Sequence, residues 1–195
     1  MKRLVLILFV VVAAVQLAVP AYMIARHEST LRDGDRYLFR CAPIDPVDAF
    51  RGRYVRMSFD DADAVVRDSG LRQRDTAWAR LQVDGSGFAH LDGLYRDAPE
   101  GGPYLRVRFA RFGITDTLTR GEIVSVELPF SRYYMDEDLA QEAEAAYRKM
   151  NRARSIENPA KRESAYVAVR IRDGHAVIEE LYLAGLPVRE YLESR

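Results

Sequence analysis

The side chains able to do chemistry are few in this sequence, and their spacing excludes most reactions. His27, His90 and His175 stand far apart, with no His-Glu-x-x-His pair and no second cysteine to complete a zinc tetrahedron. Asp33-x-Asp35 and Asp60-Asp61-x-Asp63 offer carboxylates to calcium, yet neither runs on into the glycine and terminal glutamate that close a calcium loop, so both read as solvated turns. Gly85-Ser86-Gly87 is too short to be a nucleophile elbow and also reads as a turn. Cys41 alternates into a strand pattern as a small buried hydrophobe, and Trp78, the single tryptophan, reads as core. The sequence therefore assigns no catalytic residue, no cofactor and no metal ligand.

Charge narrows the partners further. The 29 basic residues balance the 29 acidic ones, so no net field draws the chain to nucleic acid or to an anionic surface. Nearly all the basic residues are arginine, with lysine only at Lys2, Lys149 and Lys161, which reads as genome composition rather than phosphate-binding design. An apolar content of 48% in 195 residues can fill the core of one domain. The lone cysteine means that folding rests on packing and not on an internal disulfide.

The N-terminus carries the sharpest signal. Behind Met1-Lys2-Arg3, the 22 residues from Leu4 to Ala25 are apolar except for Gln16. As a helix they cover about 33 Å, enough for a hydrocarbon core of about 30 Å. A cleaved signal peptide has an apolar region of roughly 7 to 15 residues and a small-x-small site, which Val19-Pro20-Ala21 matches poorly. Residues 1–26 are thus expected to be a single transmembrane anchor, with the bilayer as partner through Leu4 to Ala25. Lys2, Arg3 and the α-amino group favour a cytoplasmic N-terminus and a domain on the far side.

Residues 35–195 read as one β-rich domain, so the expected class is α+β: mainly antiparallel β with one long helix. Period-2 alternation predicts strands at Tyr37–Cys41, Tyr54–Phe59, Ala79–Val83, Phe88–Arg96, Tyr104–Phe112, Glu122–Phe130, Ser164–Arg172 and Ala176–Leu183, with spacing that suits a meander. Asp173-Gly174 predicts a tight hairpin turn between the last two. A long helix is expected from about Asp136 to Arg154, its apolar seam formed by Leu139, Ala143, Tyr147 and Met150, and a weaker one over Asp61–Arg67. Gly185-Leu186-Pro187 opens a short tail.

One segment carries a family resemblance. Pro43-x-Asp45-Pro46-x-Asp48-x-Phe50-Arg51-Gly52-Arg53-Tyr54-Val55-Arg56-Met57-Ser58-Phe59, followed by Tyr133-Tyr134-x-x-Glu137 and a closing hairpin, resembles the signature of the GDYXXLXY family. Met57 stands for the motif Leu and Phe59 for its last Tyr, both conservative, whereas Arg53 stands where the family has Asp. The resemblance implies a membrane-associated protein, similar in setting to small accessory subunits of polytopic membrane proteins. Read physically, the motif is a glycine turn feeding a core strand; the functional alternative places Tyr54, Asp45 and Asp48 along a groove for a peptide or partner loop. Arg51-Gly52-x-Tyr54-Val55 also resembles, over a short stretch, a strand of type I signal peptidases. Those enzymes need a serine activated by a buried lysine, and no such pair is legible here.

The expectation is a membrane-tethered, non-enzymatic accessory or interaction domain in a bacterial inner membrane, facing the periplasm or cell exterior and pairing with a polytopic membrane protein. Its motif or interaction residues are Pro43, Asp45, Pro46, Asp48, Gly52, Tyr54, Met57, Phe59, Tyr134 and Glu137. The alternative is a membrane-anchored serine hydrolase of signal-peptidase type.

Overall fold

The computed structural model describes residues 2–42, 54–59, 62–72, 75–109, 118–156 and 165–194. Helix α1 runs from Lys2 to Asp33 with Pro20 inside it, seven residues beyond the expected end of the anchor at Arg26. Nothing between Arg26 and Asp33 breaks a helix, and Glu28 pairs with Arg32 one turn later at 3.4 Å. Gly34 stops it. Its N–H donates to the Thr30 carbonyl at 3.0 Å, and a Cβ at this position would lie 2.5 Å from that same oxygen.

The remainder is α+β and mainly β. Its strands are β1 (Asp35–Ala42), β2 (Tyr54–Arg56), β3 (Ser58–Phe59), β4 (Asp63–Val65), β5 (Thr76–Val83), β6 (Ala89–Tyr95), β7 (Tyr104–Phe109), β8 (Ile123–Glu127), β9 (Arg132–Tyr134), β10 (Tyr166–Arg172), β11 (His175–Leu183) and β12 (Leu186–Pro187). Helix α2 (Glu137–Ile156) precedes β10, and a short α3 (Val188–Glu193) follows β12 where only a tail is expected from sequence. One antiparallel sheet has the order β12-β11-β10-β1-β3, a second has the order β4-β8-β7-β5-β6, and β2 and β9 form a separate ribbon. This is not a simple meander, because β1 is flanked by β10 and β3 rather than by its neighbour in sequence.

Where a helix is expected over Asp61–Arg67, the described residues hold strand β4 at Asp63–Val65. Ala64 and Val66 are buried while Val65 between them is only half-buried, and β4 pairs with β8 through Ala64 and Val124. The β-branched pair Val65-Val66 favours that pleated geometry over a helix. The motif strand is also divided: Tyr54–Arg56 pairs with β9, whereas Phe59 pairs with Cys41 of β1. In α2 the buried seam is Ala140, Ala143, Ala146, Tyr147 and Met150, one residue removed from the expected Leu139, which is half-exposed.

One hydrophobic core joins both sheets, the ribbon and α2. Phe39, Phe59 and Phe130 form an aromatic trio with centroid separations of 4.9, 5.3 and 6.3 Å. Tyr147 is fully buried and donates to the Ala42 carbonyl at 2.8 Å, which fixes α2 against the end of β1.

The predicted turn after β5 is built by Asp84. Its carboxylate accepts from the Ser86 and Phe88 N–H groups at 2.8 and 3.0 Å and from Arg40 at 2.8 Å. Led by the Phe88 and Arg40 bonds, these contacts lower the Asp84 pKa from 3.8 to about 2. A lowered folded pKa means stability that is complete above about pH 4 and lost as pH falls toward 2. Asp84→Asn is therefore expected to flatten the acid limb of the unfolding profile in that window while leaving the neutral-pH fold in place, as read by circular dichroism against pH.

Candidate functional site

The motif places an aromatic face on the surface. Strict alternation along β2 turns Val55 into the core and Tyr54 outward, and antiparallel pairing sets Tyr54 directly opposite Tyr134 of β9. Their ring centroids are 5.6 Å apart, and the Arg132 guanidinium lies 5.1 Å from the centre of the Tyr54 ring. Tyr134 is 66% exposed, unusually open for a large aromatic side chain. Behind it, Tyr133 is half-buried and donates to Glu180 at 2.8 Å; burial, reinforced by Glu180, pushes its pKa upward, so it stays a neutral structural donor. Two phenol rings and a guanidinium on a two-stranded ribbon can stack and hydrogen-bond.

Of the other expected motif residues, Met57 is 3% exposed and Phe59 is half-buried within the aromatic trio, so both pack against the core. Volume-conserving replacement of Leu by Met and of Tyr by Phe is what such positions tolerate. Pro43, Asp45, Pro46, Asp48 and Gly52, together with Arg53, lie outside the described residues, and Glu137 is placed only as the first residue of α2. Lys149 is exposed on α2, and no described serine meets it.

A second site is one that sequence reading missed. The C-terminal turns of α1 dock on the β10–β11 hairpin: Thr30, 2% exposed, hydrogen-bonds His175 Nδ1 at 3.0 Å, and Arg172 donates to Ser29 and Asp33 at 2.7 and 2.9 Å. Arg170 donates to the Gly34 carbonyl at 3.1 Å. The Thr30 hydroxyl spends its one hydrogen on the Arg26 carbonyl at 3.0 Å, so His175 must be the donor to it, with the proton on Nδ1. Burial, with Arg26 and His27 adding to it, lowers the His175 pKa and favours the neutral ring. Although His27 and His175 are far apart in sequence, their rings stand 6.2 Å apart. Among the described residues no group of three or more His, Cys, Asp or Glu side chains could hold a metal ion.

Beside this joint a depression of about 500 Å³ opens, lined by Arg26, Trp78, Arg106, Arg108, Glu127 and His175 among others. Trp78, expected in the core, is half-buried here with Tyr104 edge-on at 5.4 Å and the Arg106 guanidinium 6.0 Å from its ring. The residues converge from α1, β5, β7, β8 and β11, so no local pattern announces them.

The family model described as GDYXXLXY protein matches residues 16–181, from inside the apolar part of α1 nearly to the end of β11. No curated protein and no solved structure matches the chain.

Proposed function

This chain belongs to the GDYXXLXY protein family, and from that premise we propose that it is a membrane-tethered, non-enzymatic accessory domain of the bacterial inner membrane, facing the periplasm or cell exterior. The observation that carries this is the bare face of α1. From Leu4 to Ile24 its large apolar side chains are 46 to 75% exposed, an uncovered surface that water does not tolerate and a bilayer does. Lys2 and Arg3 ahead of the apolar stretch favour a cytoplasmic N-terminus. The partner in this reading is a polytopic membrane protein, met by the Tyr54–Tyr134 face.

Two measurements test it. Full-length chain in native membranes should resist extraction by alkaline carbonate and keep its original N-terminus; release by carbonate, or a mature chain starting near Tyr22, overturns the tether. For the face, the doubly substituted chain, Tyr54→Ala with Tyr134→Ala, should lose at least about tenfold of the integral membrane protein recovered with wild type in mild detergent, the usual scale for aromatic anchors. Its stability should fall by only about 1 kcal/mol, the worth of one exposed cross-strand pair. Unchanged recovery overturns the assignment of this face.

A further inference from the structure

We propose that the depression beside the end of α1 is a binding site for the headgroup of an acidic phospholipid from the leaflet through which the anchor emerges. The proposal rests on the tethering reading above and adds a ligand to it. Its first support is depth. The layer of headgroups outside the hydrocarbon is about 5 to 7 Å thick on each side, and a helix rises about 1.5 Å per residue. If hydrocarbon ends at Ala25, residues 26 to about 30 of α1 lie in that layer. The depression sits at this level, because Arg26 lines it and His175, also in its wall, touches Thr30 at 3.0 Å and stands 6.2 Å from His27.

Its second support is charge. Arg26, Arg106 and Arg108 are exposed, and among the described residues none has a carboxylate within 4.0 Å, even though Arg108 lies opposite Glu127 in register. Asp173, on the rim, is a second carboxylate of the lining, exposed and only 3.8 Å from an Arg172 that already pairs with Asp33, so three guanidiniums stand against two carboxylates, Glu127 and Asp173, an excess of one positive charge. Guanidinium forks suit phosphate oxygens, and an uncompensated phosphate satisfies this excess where a choline-bearing headgroup does not. The third support is Trp78, half-buried against Tyr104, an amphipathic pair of the kind that settles at the level of headgroups.

Trp78 is the single tryptophan, so its emission reports on this depression alone. Full-length chain is reconstituted in phosphatidylcholine vesicles and titrated with phosphatidylglycerol. Trp78 emission is expected to shift to shorter wavelength as a headgroup displaces water from the ring. In Arg106→Gln and in Arg108→Gln, checked for fold by circular dichroism, the phosphatidylglycerol content giving half the shift should rise about fivefold each, the share of one arginine at an anionic surface. A shift that inorganic phosphate reproduces in pure phosphatidylcholine reassigns the pocket to free phosphate and overturns the lipid assignment. Variants that respond like wild type overturn it too, as does a silent Trp78 in chain that floats with the vesicles. Chain that fails to float overturns the tethering reading, and the headgroup site falls with it.

Discussion

Gly174→Ala is expected to destabilise the chain by about 2 to 5 kcal/mol, the sum of a left-handed backbone penalty and an overpacking penalty. Gly174 has φ of +73°, and a Cβ there would meet Trp78 at 2.5 Å and Tyr104 at 3.0 Å. The tip of the β10–β11 hairpin is wedged against β7, where the Arg106 N–H donates to the Gly174 carbonyl at 3.0 Å. On its other flank the same tip carries His175 and Arg172, which hold α1. Neither side can retreat without loosening one of the two contacts. Gly185 provides the internal comparison: its φ is +83° and nothing lies within 4 Å of a Cβ, so Gly185→Ala should cost only the backbone share, about 1 to 2 kcal/mol. Urea unfolding of the full-length chain in detergent, followed by circular dichroism, separates the two. Equal losses at both glycines would mean that the hairpin tip is not clamped.

Tyr147→Ala should be comparably severe, about 3 to 5 kcal/mol, since it empties the volume of a large buried aromatic ring between α2 and the sheet. Tyr147 is among the largest side chains with no exposure, and the rest of the buried seam of α2 is Met150 and the small alanines at 140, 143 and 146. Tyr147→Phe isolates the hydroxyl. The Ala42 carbonyl that it reaches also accepts from Ser58 at 3.1 Å, so that oxygen is not orphaned and the loss should be only about 1 kcal/mol. A Phe variant as unstable as the Ala variant, in the same unfolding measurement, would show that the hydrogen bond and not the packing holds α2 in place.

What was legible in the sequence follows the range of the forces involved. Alternation is local, so Leu105, Val107 and Phe109 facing inward between Arg106 and Arg108 could be read from six residues, and so could the Asp173-Gly174 turn. The division of the motif strand could not. Tyr54–Phe59 keeps one alternation throughout, and the change of partner at Met57, whose N–H donates to the Ser131 carbonyl at 2.9 Å, depends on a residue more than seventy positions away. The true end of α1 was legible in principle, because Gly34 is an ordinary stop signal after a run with no breaker. The apolar stretch ends earlier, at Ala25, because hydropathy marks where lipid would end and not where the helix does. The Tyr54–Tyr134 pairing was half legible, as two motif elements whose adjacency the sequence did not state. The arginine-lined depression was not legible at all, since the helix, the hairpin tip and three strands meet there only after the fold is complete.

The clamp of His175 and Arg172 on the last turns of α1 has a mechanical consequence if the helix lies in lipid as proposed. An apolar length of about 33 Å exceeds a core of about 30 Å, and the mismatch is relieved by a tilt of about 25°, rising to about 35° where the core thins to about 27 Å. A flexible tether would absorb that difference. Here the last turns of the helix are fastened to the sheet by hydrogen bonds on two strands, so the rotation passes into the domain, and the Tyr54–Tyr134 face swings by about 10° with it. Bilayer thickness would then set the angle at which this face meets a neighbour.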